Sequence, residues 1–112
     1  KSGLKKLLCL LEGEFGIFTT EQTDEKYQWA YPNVWAPCQY VAAKALERYG
    51  CAGDAKRIAE KYCKLIERNF EKHGKLFEKY NGVTGGIDAV SEYGTPEMLG
   101  WTAGVYMECK KL

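Results

Sequence analysis

Between Gly53 and His73 the apolar residues Ala55, Ile58, Ala59, Tyr62, Leu65, Ile66 and Phe70, with Asn69 among them, recur every three or four positions. Lys56, Arg57, Lys61, Lys64, Arg68 and Lys72 fill the opposite side. This spacing predicts an amphipathic helix with one face toward protein and the other toward water. A very short link joins it to a preceding helix, predicted from about Trp35 to Tyr49, with Pro37 in its first turn and Gly50 at its left-handed end. A link that short makes the two an antiparallel αα-hairpin. The earlier helix has a different make-up. Val41, Ala42, Ala45, Leu46 and Tyr49 form its main stripe, and Tyr40 and Ala43 widen that stripe around much of the circumference. The hairpin therefore pairs an outer-type helix with an inner-type one.

Two more helices are expected. Lys1 to Leu11 carries Leu4, Leu7, Leu8 and Leu11 at helical spacing. Its cations stand at the start, where the helix dipole disfavours them, so it reads as the tail of a longer helix. A second inner-type helix runs through Met98 to Met107, with Thr95-Pro96 as its expected N-cap and first-turn proline. Its Gly100, Ala103 and Gly104 would let another backbone or a ligand come close. The stretches Gly13 to Val34, with short extended pieces such as Ile17-Phe18-Thr19-Thr20, and Gly74 to Gly94 read as loops, and no run shows convincing strand alternation. One outer and two inner helices do not close a four-helix bundle, because helices apolar all round need neighbours on every side. The fold class is all-α, as part of a larger layer of inner and outer helices.

Composition sets the outer limits. The 112 residues carry 16 basic and 15 acidic side chains and are 46% hydrophobic, as in an ordinary folded chain. A balance this near neutrality gives no electrostatic reason to expect nucleic acid or an anionic membrane as partner. No apolar run reaches the roughly 20 residues that span a bilayer. The five cysteines, Cys9, Cys38, Cys51, Cys63 and Cys109, are odd in number, widely spaced and form no CxxC pair. Buried structural thiols are expected, in a reducing cytoplasm, with no metal or redox motif. His73 ends a polar helix, where a surface role is expected. The chain opens on Lys1 without an initiator Met, which suggests a fragment of something longer.

Two loops carry candidate chemistry. Tyr27-Gln28-Trp29-Ala30-Tyr31-Pro32-Asn33-Val34-Trp35-Ala36-Pro37 combines aromatics, amides and prolines. Aromatic faces stack on the C–H faces of sugars and amides bond hydroxyls, but the same residues make a good plug over a helix end. Glu78 and Glu92 are acids set among Gly, Asn and Tyr. Either can act as a base toward water in an aromatic cleft, or sit solvated at the surface. These two readings are not separable from spacing.

The residues Gln28-Trp29-Ala30-Tyr31-Pro32-Asn33-Val34-Trp35-Ala36-Pro37 closely resemble the trehalase signature Gln-Trp-Asp-x-Pro-x-(Gly/Ala/Val)-Trp-(Pro/Ala/Ser)-Pro. Gly16-Ile17-Phe18-Thr19-Thr20 resembles the Gly-Ile-Pro-Thr-Ser/Thr that precedes it in that family. Phe77-Glu78-Lys79-Tyr80-Asn81 resembles the family's Glu-Lys-Tyr-Asp/Asn segment. Glu92-Tyr93 with Leu99-Gly100-Trp101-Thr102-Ala103-Gly104-Val105 resembles its Glu-Tyr…Phe-Gly-Trp-Thr-Asn-Gly-Val ending. The resemblance covers nearly the whole chain.

It implies an inverting glycoside hydrolase built as an (α/α) toroid, of which this chain is the C-terminal portion of the catalytic domain. It also implies a small sugar substrate, trehalose, and the remainder of the toroid as partner. Glu78 takes the place of the general base, and Glu92 that of a second acid holding water or sugar. Gln28, Trp29 and Asn33 fall in the loop that lines the sugar site, and Trp101 falls at the pocket. The family's general acid, an Asp, and its sugar-binding arginines lie upstream, so the chain by itself is expected to be inactive. No cofactor or metal is implied. Ala30 stands where the signature has Asp, which leaves room for another α-glucoside as substrate. The Glu78 to Gly85 pattern also recurs in related helical-toroid glucosidases. A non-catalytic, truncated helical module is the reading from a different class.

Overall fold

The computed structural model describes residues 2–22, 27, 29–88, 95–98 and 100–112. Gln28 and Glu92 lie outside the described residues. Among those described, helices dominate and no sheet closes: α1 (Ser2–Leu11), β1 (Glu12–Gly13), β2 (Gly16–Ile17), β3 (Asn33–Trp35), α2 (Ala36–Arg48), α3 (Ala52–His73), β4 (Lys79–Asn81) and α4 (Gly100–Lys110).

α2 and α3 form the expected antiparallel hairpin. Gly50 takes φ +81° in the link, a conformation that costs glycine little, and Gly74 ends α3 at φ +69°. α3 buries Ala55, Ile58, Ala59, Tyr62, Leu65, Ile66 and Asn69, as its periodicity predicts, and adds Asp54 and Cys63. Phe70, expected on this face, is exposed. α2 packs against α3 and α4 on a face rotated from the expected stripe. It buries Ala36, Gln39, Ala43 and Leu46, whereas Val41 and Tyr49 are exposed. A helix apolar around its circumference has more than one face to offer, and its neighbours decide which is buried. The other face, through Val41, Ala42 and Ala45, lines a cavity shared with Leu4, Leu7, Leu8 and Leu11 of α1.

Two linked clusters make the core. Val34, Ala59, Tyr62, Leu65, Ile66, Tyr80 and Cys109 join α3 and α4 to β3 and β4. Ile17, Leu46, Cys51, Ala55 and Ile58 form the second, against Leu4, Leu8 and Leu11 of α1. α1 is also tied to α3 by the ion pair of Lys5 with Asp54, and β1 by Glu12 with Lys61 and, at 2.8 Å, with Arg57.

The strands are each two or three residues long, too short to show alternation, in keeping with the sequence. Three sequence expectations are corrected. Thr95 and Pro96 do not begin α4, which starts at Gly100. The Pro96 carbonyl instead accepts from the Glu78 amide at 2.9 Å, and the Met98 amide donates to the Leu76 carbonyl at 3.0 Å. That backbone pairing holds residues 95–98 extended, which a helix could not satisfy. A Cβ added at Gly100 or Gly104 would meet nothing within 4 Å, so no described backbone approaches there. The cysteines are all free, but Cys9 is exposed and Cys38 half-buried, against the expectation that both pack in apolar surroundings. No described helix is long and apolar enough to cross a membrane.

Candidate functional site

The site grows from the pairing of β3 with β4. Asn33 stands opposite Asn81, Val34 opposite Tyr80 and Trp35 opposite Lys79, in an antiparallel register. This pairing fastens the aromatic loop to the Glu78 segment, which the sequence separates widely. The loop end is set by Gln39, a buried amide on α2. Its Oε1 accepts from the Ile17 amide at 2.7 Å, and its Nε2 donates to the carbonyls of Ile17 at 2.8 Å and Trp35 at 3.2 Å. Gly16 is required at φ +140°, because a Cβ there would lie 2.6 Å from Gln39 Oε1. The Tyr31–Pro32 peptide is cis.

Glu78 immediately precedes β4 and is buried. α4 holds its backbone from the other side. Thr102 Oγ1 donates to the Phe77 carbonyl at 2.7 Å, and the Trp101 indole N–H donates to the Glu78 carbonyl at 3.4 Å. Lys79 Nζ stands 3.3 Å from Glu78 Oε1 and 5.3 Å from the centroid of the Trp35 ring, and Lys79 is fully buried. A buried ammonium is tolerated only with such company, a carboxylate beside it and an aromatic face over it.

All three tryptophans of the chain meet here. Trp29 stacks on Trp35 with centroids 3.8 Å apart and planes 11° apart. Trp101 stands edge-on to both, at 6.3 Å from Trp29 and 5.9 Å from Trp35. Trp29 is 42% exposed, so the cluster presents an aromatic surface. After β4, Asn81 fixes the turn. Its Oδ1 accepts from the amides of Val83 at 2.8 Å and Thr84 at 2.9 Å, and its backbone N–H donates to the Gly86 carbonyl at 2.9 Å. Asn69 of α3 donates to the Gly85 carbonyl at 2.9 Å and anchors the turn from below.

Of the residues singled out in the sequence, the fold brings Glu78, Trp29 and Trp101 together, and Asn33 is buried at the end of the same β3–β4 pair. Gln28 and Glu92 are outside the described residues. Ala30 is buried, with its carbonyl accepting from the Asn33 amide at 3.1 Å. Sequence reasoning did not select Trp35, Lys79, Gln39 or Asn81 as site residues. Trp35, Lys79 and Asn81 lie inside the motifs already quoted, though nothing local marks Lys79 as buried, and Gln39 has no local signal. Cavities of about 600 and 500 Å³ lie along α4, the first against α3, and Glu78 lines neither. Among the described residues no group of His, Cys, Asp or Glu could hold a metal ion.

Residues 4–112 match the family model described as Trehalase. The chain belongs to the trehalase family. It is 40% identical over 84 residues to a periplasmic trehalase of Xanthomonas campestris pv. campestris, covering 70% of this chain and 14% of that protein. It is 34% identical over 99 residues to a periplasmic trehalase of Pseudomonas aeruginosa, covering 87% of this chain and 18% of that one. Among solved structures, neutral trehalase from Saccharomyces cerevisiae matches with a TM-score of 0.76 and 26% identity, over 96% of this chain and 19% of that one. The chain thus spans less than a fifth of the length of these trehalases. The cytoplasmic location expected from the cysteines is contradicted, since these bacterial relatives are named as periplasmic proteins. A cysteine count and spacing are a poor guide to compartment, because they do not show which thiols the fold brings together.

Proposed function

We propose that this trehalase-family chain carries the general base of an inverting glycoside hydrolase acting on trehalose, and forms the C-terminal portion of its (α/α) toroid. The observation that carries this reading is Glu78: a buried carboxylate beside the buried Lys79 ammonium, its backbone held by Trp101, next to an aromatic cluster. In this reading Glu78 removes a proton from water as the water attacks the anomeric carbon, so an α-glucoside gives a β-product. Trp29 and Trp101 stack against sugar rings, while Gln28, Asn33 and Glu92 hold hydroxyls or water. The general acid and the sugar-binding arginines belong to the remainder of the toroid. An inverting pair needs its two carboxyls on the order of 6.5–9.5 Å apart, with water between them. The names of the bacterial relatives support a location outside the cytoplasm.

Ala30 favours one alternative. Where the signature has Asp, this chain has a buried methyl group, so a hydroxyl or a basic residue loses its acceptor. That supports another α-glucoside as substrate, with Glu78 unchanged in role. A panel of α-glucosides given to the whole protein separates the two.

The test of the base is Glu78→Gln in the whole protein. Turnover should fall at least about a hundredfold, the usual contribution of a general base, with trehalose binding largely retained. Wild-type-like turnover would refute the assignment. Absence of turnover in the wild-type whole protein, on every α-glucoside offered, would instead favour a non-catalytic helical module.

A further inference from the structure

Glycoside hydrolysis leaves the thiols unused, and they are not equivalent. Cys63, midway along α3, and Cys109, in the last turn of α4, belong to the same core cluster. Across the α3–α4 interface each thiol is near enough to shift the ionisation of the other. Cys63 Sγ also lies 3.9 Å from the Tyr106 carbonyl, one turn before Cys109, which aims it at α4. Both residues line one cavity of about 200 Å³. The other lining residues include Glu60, Lys64, Glu67 and Lys110, all exposed, so the cavity opens at the surface beside the two cysteines. None of the other three cysteines lines it.

We propose that Cys63 and Cys109 form a disulfide on exposure to a small-molecule disulfide, cross-linking α3 to α4. Their mutual influence divides the labour. The Cys63 thiol is pushed up and the Cys109 thiol is held below its ordinary value, which makes Cys109 the attacking sulfur. The Cys109 thiolate attacks one sulfur of oxidised glutathione, and the S–S bond of glutathione breaks. One glutathione leaves as a thiolate and takes up a proton. Cys63 then gives up its proton and attacks the Cys109 sulfur of the mixed disulfide, releasing the second glutathione. Two protein thiols are oxidised and one glutathione disulfide is reduced to two thiols. The cross-link fastens the C-terminal end of α4, whose first turn holds Trp101 and Thr102 against residues 77–78.

The test is to incubate the natively folded whole protein with oxidised glutathione, alkylate the remaining thiols under denaturing conditions, and map peptides by mass spectrometry. The expected result is a mass loss of about 2 Da and a Cys63–Cys109 linked peptide that dithiothreitol separates. Cys63→Ser and Cys109→Ser should each abolish that peptide and leave the partner cysteine as a glutathione adduct or an alkylated thiol. Recovery of both cysteines alkylated from the oxidised wild-type protein would overturn the proposal. So would a wild-type cross-link joining either of them to Cys9, Cys38 or Cys51. Because the deciding measurement is made on the wild type, a variant that fails to fold does not affect it.

Discussion

Thr102 shows how one hydroxyl positions the site. It is fully buried, and its Oγ1 donates to the Phe77 carbonyl at 2.7 Å, next to the Glu78 backbone. Thr102→Val keeps the shape and removes the donor, leaving a buried carbonyl short of a partner. The expected cost is about 1–3 kcal/mol, read as a lower denaturant midpoint with an unchanged slope. A midpoint equal to wild type would mean that α4 does not depend on this bond. At this scale part of the candidate site was legible in the sequence. Trp29, Trp101 and Glu78 stand out by residue type and motif, and the fold brings them together. Lys79 was not recognisable. Beside Glu78 it looks solvated in sequence, and only the pairing of β3 with β4 puts Trp35 against it and seals it from water.

Elements were legible where they are long. α2 and α3 begin and end within about a residue of expectation, because periodicity over many turns and a glycine at each end leave little freedom. The short strands and the start of α4 were not legible, since both depend on backbone partners distant in sequence, as Pro96 and Met98 do on residues 76–78. The junction of α1, β1 and α3 carries a pH dependence. Arg57, then Lys61, hold the Glu12 carboxyl below its ordinary value. Lys5, then Arg57, do the same for Asp54. A carboxyl lowered on folding stabilises above its unfolded pKa, and that stabilisation is lost as pH falls through the folded value. The ordinary values are 4.5 for Glu12 and 3.8 for Asp54, so Tm should decline as pH drops below about 5. Glu12→Gln should flatten part of that decline. Parallel Tm profiles for the two proteins would remove Glu12 from the account.

For the whole molecule the informative fact is what stays uncovered. Val41 and Tyr49 at α2, Phe70 on α3, Met107 on α4, and Leu7 and Leu10 on α1 are large apolar side chains left exposed. Together with coverage of 14% to 19% of the matched trehalases, they support the proposal that this chain packs within a larger toroid. The imbalance of inner and outer helices was already visible in sequence. Which face of α2 would be used was not, because that depends on its neighbours. If the proposed division holds, with the base in this chain and the acid elsewhere in the toroid, the isolated 112-residue chain gives no glucose from trehalose in a coupled assay. Measurable turnover by that purified chain would contradict the division of catalytic groups.

The central claim is that Glu78 activates water, and azide tests it most directly because azide needs no base. In the whole protein, Glu78→Ala should hydrolyse trehalose at least about a hundredfold more slowly than wild type. Added azide should restore turnover and give β-glucosyl azide, the product of inversion, identified by NMR. Hydrolysis at the wild-type rate without azide, or a loss of activity that azide does not rescue, would contradict it.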